Sequence, residues 1–270
     1  MNGTEKIPQN RIFDTHTHYD DKAFDEDREQ LLESLEENGI GPVVDVGADL
    51  ESTARAIALA QKYPFVYAAA GVHPTETEKL DENGFLQLSE QLREPKVIAV
   101  GEIGLDYHWD TPRGVQKLWF GRQLALASER DLPVIIHSRE AAADTLGQLR
   151  EAQDRAAAEG KRLTGVVHCF SYGPEMAAEY VKMGFWIGIG GVVTFKSARK
   201  VKEVVQKIPL EKLVLETDCP YLAPAPHRQE RNSSLYLPLV AEEIARLRGI
   251  TPEEVVRATA RNARELYRLD

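Results

Sequence analysis

Two histidines stand one residue apart in the first apolar segment of the chain, within Asp-Thr-His-Thr-His at positions 14–18. On a β-strand successive side chains point to opposite faces, so His16 and His18 share one face with Asp14. Two imidazoles on one face can bind a single divalent metal ion. This spacing therefore predicts a metal site, for which the rest of the chain must supply the missing ligands.

Further imidazoles and carboxylates recur where other predicted strands end, and none of the seven histidines falls in a predicted helix. In an α/β barrel such strand ends meet at the rim that holds the active site. Four imidazoles and two carboxylates are enough for two divalent ions if one group bridges them. Glu102 is the natural bridge, because a carboxylate has two oxygens and an imidazole has one free donor for a metal. The predicted ligands are His16, His18, Glu102, His137, His168 and Asp218.

Three residues beside these ligands have separate interpretations. Asp14 and Glu216 lie on the same strand faces, one layer deeper. We expect them to orient the imidazoles, although a plain hydrogen-bonded barrel carboxylate is an equally good reading. Cys169 directly follows His168, so strand alternation turns its thiol to the opposite face and predicts a buried structural cysteine rather than a ligand.

Short β-rich runs alternate with longer amphipathic segments from one end of the chain to the other. The predicted strands cover residues 11–18, 42–47, 65–73, 97–105, 133–138, 165–170, 185–191 and 213–218. Helices are predicted at 27–38, 115–129, 140–159, 235–248 and 252–269, with others between the remaining strands. Thr251 is placed as the N-cap of the last helix, with Glu254 three residues later.

Eight strands, each followed by a helix, favour an α/β fold of the (β/α)8 TIM-barrel type. We expect a single domain over 1–270, with a core of about 11–266 and an extra C-terminal helix. The alternative is a doubly wound open sheet. That fold usually has a glycine-rich turn after its first strand, where this chain has the histidine pair.

Composition narrows the class of protein. The chain has 270 residues, 43% hydrophobic and 28% charged, which is typical of a globular protein. Its only cysteines are Cys169 and Cys219, which argues against a disulfide scaffold and favours a reducing, cytoplasmic compartment. Residues 1–10 lack the apolar region of a signal peptide, and no apolar run approaches a membrane span. A net charge of −10 disfavours a protein that coats long duplex nucleic acid.

Six ordered motifs resemble those of the TatD family, a branch of the metal-dependent amidohydrolase superfamily, and the match covers about residues 11–266. They are Asp-Thr-His-Thr-His at 14–18, Gly-Val-His-Pro at 71–74, Gly-Glu-Ile-Gly-Leu-Asp-Tyr at 101–107, Pro-Val-Ile-Ile-His-Ser-Arg at 133–139, Val-His-Cys-Phe-Ser at 167–171 and Leu-Glu-Thr-Asp-Cys-Pro-Tyr-Leu at 215–222. Two segments depart from the family pattern: the loop 228–234, and Tyr172 where the family usually has glycine.

The resemblance implies a (β/α)8 hydrolase with two divalent cations and deoxyribonuclease activity, often 3′–5′ exonuclease action on single-stranded ends. Carried over by position, His16, His18 and Asp218 would bind one ion, His137 and His168 the other, and Glu102 both. Mixed imidazole and carboxylate ligands suit zinc, manganese, iron or, less comfortably, magnesium. The expected partner is DNA, as single-stranded ends or short oligonucleotides, with no membrane and no obligate protein partner.

On this interpretation, a hydroxide held at the two-metal site attacks phosphorus, and Asp218 also acts as the general base. His73 and Arg139 are candidates for binding the scissile phosphate, and Arg228 is a further candidate for which a solvated surface charge is the favoured reading. Alternatives are hydrolysis of a small-molecule ester or amide, hydrolysis of aminoacyl-tRNA ester ends, and a non-catalytic barrel that serves as an interaction partner. The complete ligand set argues against the last.

Overall fold

The computed structural model describes residues 11–269; residues 1–10, in which the sequence predicts no signal peptide, and residue 270 lie outside the described residues. Eight parallel strands form one sheet in chain order. These strands are β1 (Ile12–Thr17), β2 (Ile40–Val46), β3 (Val66–Ala70), β4 (Val97–Asp106), β5 (Val134–Arg139), β6 (Gly165–Val167), β7 (Trp186–Ile189) and β8 (Leu213–Leu215).

Helices connect the strands, as expected for parallel neighbours that need crossover connections. In residues 11–269 they are α1 (Arg28–Glu37), α2 (Leu50–Lys62), α3 (Glu82–Gln91), α4 (Arg113–Arg130), α5 (Ala142–Ala158), α6 (Pro174–Lys182), α7 (Arg199–Lys207), α8 (Leu237–Arg248) and α9 (Pro252–Tyr267). None of these helices is both long and apolar enough to cross a bilayer.

The first and last strands meet and close the sheet. Thr17 forms a parallel bridge with Cys219. On either side of it, the His18 amide donates to the Cys219 carbonyl and the Asp218 amide donates to the His16 carbonyl, both at 2.9 Å. The fold is therefore a (β/α)8 barrel, which confirms the predicted class and excludes the open sheet.

Helix α9 is the extra C-terminal helix, and its predicted capping is confirmed. The Thr251 hydroxyl accepts from the Glu254 amide, and the Glu254 carboxylate accepts from the Thr251 amide. At its other end the Tyr267 ring stacks on Phe13 at 5.9 Å between centroids, and the Tyr267 hydroxyl donates to the Thr15 carbonyl. The helix thereby braces β1, the strand that carries the histidine pair.

Five strands, β1, β3, β6, β7 and β8, are shorter than predicted, and in β6 and β8 the early end affects two of the predicted ligands. Strands β6 and β8 end at Val167 and Leu215, before His168 and Asp218. Cys169 and Asp218 adopt positive φ values of 43° and 58°. Because extended strands require negative φ, the chain leaves the sheet there and turns these side chains by loop geometry rather than by strand alternation.

Candidate metal centre

The six predicted ligands meet at one end of the barrel. His16, Glu102 and His137 lie within β1, β4 and β5, while His18 and His168 come directly after β1 and β6. Asp218 is brought beside them by the backbone hydrogen bond to the His16 carbonyl. Inward-facing Ile135, two residues before His137, packs with residues of the other strands in the barrel interior. Regular strands thus fix three ligands, and short turns place the others.

One set of ligand atoms comes from β1 and the turn after β8. The Nε2 atoms of His16 and His18 lie 3.1 Å apart. The Asp218 Oδ1 atom lies 3.6 Å from the His16 nitrogen and 3.4 Å from the His18 nitrogen. Two imidazoles and one carboxylate oxygen therefore converge on a single point.

A second set lies across the barrel. The Glu102 Oε1 atom is 2.8 Å from His137 Nδ1 and 2.5 Å from His168 Nε2, and these two nitrogens are 3.3 Å apart. The other Glu102 oxygen, Oε2, is 3.5 Å from His16 Nε2 and 3.8 Å from His18 Nε2. Glu102 thus directs one oxygen at each set.

The donor atoms of these residues fit divalent cations. His16, His18 and Asp218 form one group whose ligand atoms all lie within 4.8 Å of one another, and His16, Glu102 and His168 form a second such group. Imidazole nitrogens and carboxylate oxygens are ligands that zinc, manganese and iron accept. The outer nitrogens of two rings have acceptors, since His18 Nδ1 lies 2.8 Å from the Val46 carbonyl and His137 Nε2 lies 3.0 Å from Asp106. A proton on each outer nitrogen leaves the inner nitrogen with a lone pair that a metal cation can accept.

The charges in the cluster also favour a cation. Burial by itself would lower the pKa of His18, but the carboxylates of Asp218 and Glu102 outweigh it and raise the pKa to about 10. His137 behaves alike: its bonds to Asp106 and Glu102 overcome burial and raise its pKa to about 9. Burial, aided by the charge of His168, instead lowers the pKa of His16 to about 4. Negative potential therefore dominates on both sides of the cluster.

Asp14 and Glu216 are buried beneath the ligands, but neither forms a hydrogen bond with an imidazole. The Asp14 carboxylate accepts from the Thr217 amide and hydroxyl, the Ser234 hydroxyl and the His16 amide. Glu216 accepts from the Cys169 amide. Within the described residues, the Nδ1 atoms of His16 and His168 have no hydrogen-bond partner. These two carboxylates therefore hold the turns that carry the ligands rather than orienting the rings directly.

Sequence reasoning missed Asp106, the carboxylate that orients the ring of a predicted ligand, His137. It is buried at the end of β4, and its Oδ2 atom lies 3.0 Å from Nε2 of His137. A carboxylate on the far nitrogen of a ligating histidine fixes the ring and its tautomer. The signal was present, because positions 102, 104 and 106 share one strand face.

Cys169 departs from its predicted orientation. It is only partly buried and lines the same cavity as His168, because the chain has already left β6 and alternation no longer applies. Burial, with the nearby carboxylates of Asp218 and Glu216, raises the pKa of its thiol well above the ordinary range. Among residues 11–269 its sulfur belongs to none of the groups of ligand atoms that converge closely enough for a metal ion, so its exclusion from the ligand set stands.

The cluster lies at the floor of a cavity of about 610 Å³. His73 and Arg139 line it, in keeping with their predicted place at the substrate. The Nε2 atom of His73 lies 3.7 Å from Glu102, and its Nδ1 atom is 2.7 Å from the Thr75 hydroxyl. No carboxylate of residues 11–269 forms a salt bridge with Arg139, so its guanidinium remains available.

Arg228 is not brought to this cavity. Its guanidinium lies 4.0 Å from the centre of the Phe195 ring, and the residue is exposed. The loop after β8 is long and has no periodic pattern, so its position in the sequence did not fix where its side chains point. The structure favours the surface-charge interpretation for this residue.

The protein was compared with known families and structures. A family model described as "TatD related DNase" matches residues 13–268. The chain belongs to the TatD family. The expected relationship is thus confirmed over nearly all of the described residues.

Similar TatD-family proteins match this chain along almost its whole length. It is 42% identical to the uncharacterized metal-dependent hydrolase YabD of Bacillus subtilis, over 96% of this chain and 100% of that protein. It is 36% identical to a protein of Edwardsiella piscicida named 3′-5′ ssDNA/RNA exonuclease TatD, over 91% of this chain and 95% of that one. A crystal structure of YjjV, a TatD homologue from Escherichia coli, superimposes with a TM-score of 0.89 at 34% identity, covering 97% of this chain and 100% of that one. This TatD-family chain is a metal-dependent hydrolase.

Proposed function

We propose that this hydrolase is a two-metal nuclease that removes nucleotides from the 3′ end of single-stranded DNA. The observation that carries the proposal is the position of Glu102, whose two oxygens face separate sets of imidazoles. One carboxylate shared by two ligand sets is the arrangement that a pair of ions needs. The relative from Edwardsiella piscicida, named as an exonuclease, supports the choice of substrate.

In this proposal His16, His18 and Asp218 hold one ion, His137 and His168 hold the other, and Glu102 contacts both. When bound, the ions would neutralise charge on the phosphoryl oxygens and activate water for attack. The side chain of Asp218 is 17% exposed whereas that of Glu102 is 6% exposed. Asp218 is thus the carboxylate with room to meet water, and its free oxygen can accept the proton of the attacking nucleophile.

His73 and Arg139 would hold the scissile phosphate. Both line the cavity above Glu102. The guanidinium fork matches two phosphate oxygens, which suits a residue at the mouth. Burial chiefly lowers the pKa of His73, to about 3, so its imidazole is neutral and binds phosphate through an N–H group rather than through charge.

The size and charge of the molecule favour chain ends over duplexes. A cavity of about 610 Å³ is in the range that takes a small ligand, such as one or two nucleotides. The chain has a net charge of −10, which opposes extended contact with a polyanion. A flexible single strand can insert its terminus into the cavity without laying its length on the acidic surface.

The position of Lys96 argues against small-molecule hydrolases that use a modified lysine as the metal bridge. Its ammonium group donates to the carbonyls of Ala60 and Tyr63 at the start of β4, at the opposite end of the barrel from Glu102. The bridging position therefore belongs to Glu102. Small-molecule esters and aminoacyl-tRNA remain as comparison substrates in the test.

The experiment uses single-stranded oligonucleotides labelled at the 5′ or 3′ end, incubated with metal-loaded protein and with a chelator. We expect stepwise loss from the 3′ end that the chelator abolishes and added Mn²⁺ restores. Asp218→Asn should lose most activity while keeping its fold, and Asp154→Asn, an exposed position on α5, should match the parent. Cleavage that resists chelation, or faster turnover of esters, lactones or aminoacyl-tRNA than of DNA, would refute the proposal.

A further inference from the structure

The mouth of the cavity carries unusual exposed aromatic surface. Among the described residues, the large apolar side chains exposed to solvent are Leu86, Trp109, Leu118, Tyr221 and Leu222. Two of these are aromatic, Trp109 at 57% and Tyr221 at 54% exposure. Both lie in loops at the metal end of the barrel, after β4 and after β8. Clustering of such side chains at one place indicates binding rather than chance.

Trp109 and Tyr221 line one cavity together. This second cavity, of about 670 Å³, also has His73, His137 and Arg139 in its wall, and all three also line the metal-site cavity. The two spaces are therefore adjacent. A ligand whose phosphate lies between the metal ligands and Arg139 would place the group attached to that phosphate in the cavity that the two aromatic residues line.

Neither ring is committed to the protein core. Trp109 makes an edge contact with His108, whose ring centre is 5.1 Å away, and more than half of its surface is exposed to solvent. Tyr221 makes an edge contact with the metal ligand His18 at 6.4 Å and a long hydrogen bond of 3.4 Å to Asp21. Each ring is thus positioned at its edge, while the exposure of both leaves surface available for a planar ligand.

The charge of the protein favours such contacts in binding nucleic acid. A net charge of −10 opposes contact with a long phosphate backbone, so a contribution to affinity that does not depend on charge favours binding of a strand. Stacking of bases on aromatic rings does not depend on charge and accepts every base. Only unpaired bases expose their faces for it, because bases in a duplex already stack on each other.

We propose that Trp109 and Tyr221 form a subsite that stacks an unpaired nucleobase next to the scissile phosphate. This inference rests on the proposed nuclease function and deepens it: the subsite selects single strands by their bases and not by their backbone. Arg139, which lines both cavities, connects the base subsite to the phosphate position.

The test measures binding, not turnover. In an Asp218→Asn background, so that DNA stays intact, fluorescence anisotropy gives the Kd for a labelled oligothymidylate and for an abasic strand with the same number of phosphates. Trp109→Ala and Tyr221→Ala should each raise the Kd for oligothymidylate about tenfold and leave the weak binding of the abasic strand unchanged. Leu118→Ala removes an equally exposed apolar side chain from α4, outside both cavities, and should change neither Kd.

The tryptophan itself supplies an independent signal. Of the three tryptophans, Trp119 and Trp186 are 6% and 5% exposed, so Trp109 is the one that a ligand can reach. Oligothymidylate should quench its emission, and the abasic strand should not. Equal loss of affinity for both strands in Trp109→Ala, or no loss for either, overturns the stacking subsite even if the protein cleaves DNA. Failure of the parent to bind or cleave any strand overturns the nuclease proposal and the subsite with it.

Discussion

Replacing Glu102 by glutamine tests whether one carboxylate serves both sets of metal ligands. The substitution keeps the size of the side chain and removes its charge. Oε1 lies within 2.8 Å of His137 and His168, and Oε2 within 3.8 Å of His16 and His18. Because both sets depend on this residue, loss of its charge should lower the affinity for both ions. Asp218→Asn should lower the affinity only for the ion held by the histidine pair.

The magnitude follows from the distances. Two unit charges at 4 Å attract by about 4 kcal/mol at an effective dielectric constant of 20. Since about 1.4 kcal/mol corresponds to a factor of ten in affinity, this loss is worth up to about 10³-fold for each ion. Rearrangement of the remaining ligands will recover part of it, so we expect a decrease of about 10²- to 10³-fold.

The assay combines elemental analysis with calorimetric titration of metal-free protein by Mn²⁺ or Zn²⁺. The parent should bind two ions, Asp218→Asn should keep one tight ion, and Glu102→Gln should keep none at comparable affinity. Circular dichroism checks that each variant folds. If Glu102→Gln binds either ion with an affinity within about threefold of the parent, the carboxylate does not bridge the two ions. That result would refute the assignment of Glu102 to both sets of ligands.

Substitutions at three other positions test, in turn, steric crowding of the backbone, the protonation state of a buried carboxyl group and a contact with the substrate. Gly104 has a φ of +148°, and an added Cβ would lie 1.9 Å from the His137 carbonyl oxygen, so Gly104→Ala should lower the free energy of unfolding in urea by at least about 2 kcal/mol. Burial raises the pKa of Asp45 to about 8, so the folded state keeps a proton that the unfolded chain releases. The contribution of this group to the free energy of unfolding should fall by about 1.4 kcal/mol for each unit that the pH rises between 4 and 8. Asp45→Asn should remove that dependence on pH. Arg139→Ala should raise KM for oligonucleotides about tenfold with little change in kcat.

Matched positions provide the controls for these substitutions. A Cβ on Gly114 would meet nothing within 4 Å, so Gly114→Ala should be neutral or slightly stabilising. Equal destabilisation at both glycines would contradict the steric argument. An unchanged pH slope in Asp45→Asn would mean that the carboxyl is ionised in the folded protein. Arg228→Ala, at the exposed arginine on Phe195, should leave KM within twofold, and a larger effect would place that loop at the substrate.

Much of this fold and its candidate site could be predicted because the ends of the strands can be recognised in the sequence. The apolar runs before His16, Glu102 and His137 fixed their strands, and parallel strands place such ends at one rim. The orientation of side chains in loops was harder to predict from the sequence. Cys169 comes after the early end of β6, and Arg228 lies in the long irregular loop after β8. Neither strand alternation nor helical periodicity applies at these positions. Asp106 was overlooked, although its register with Glu102 on β4 made it predictable.

The support of β1 by the C-terminal helix has a consequence for how the enzyme is made. The hydrogen bond from Tyr267 to Thr15 joins residues 252 positions apart, and the bond from Thr217 to Asp14 spans 203. A chain emerging from the ribosome therefore has its first histidine pair long before it has Asp218 or the helix beneath it. The metal centre is completed only at the end of synthesis. Stalled or truncated chains lack the complete centre, which ties hydrolytic activity to a finished protein.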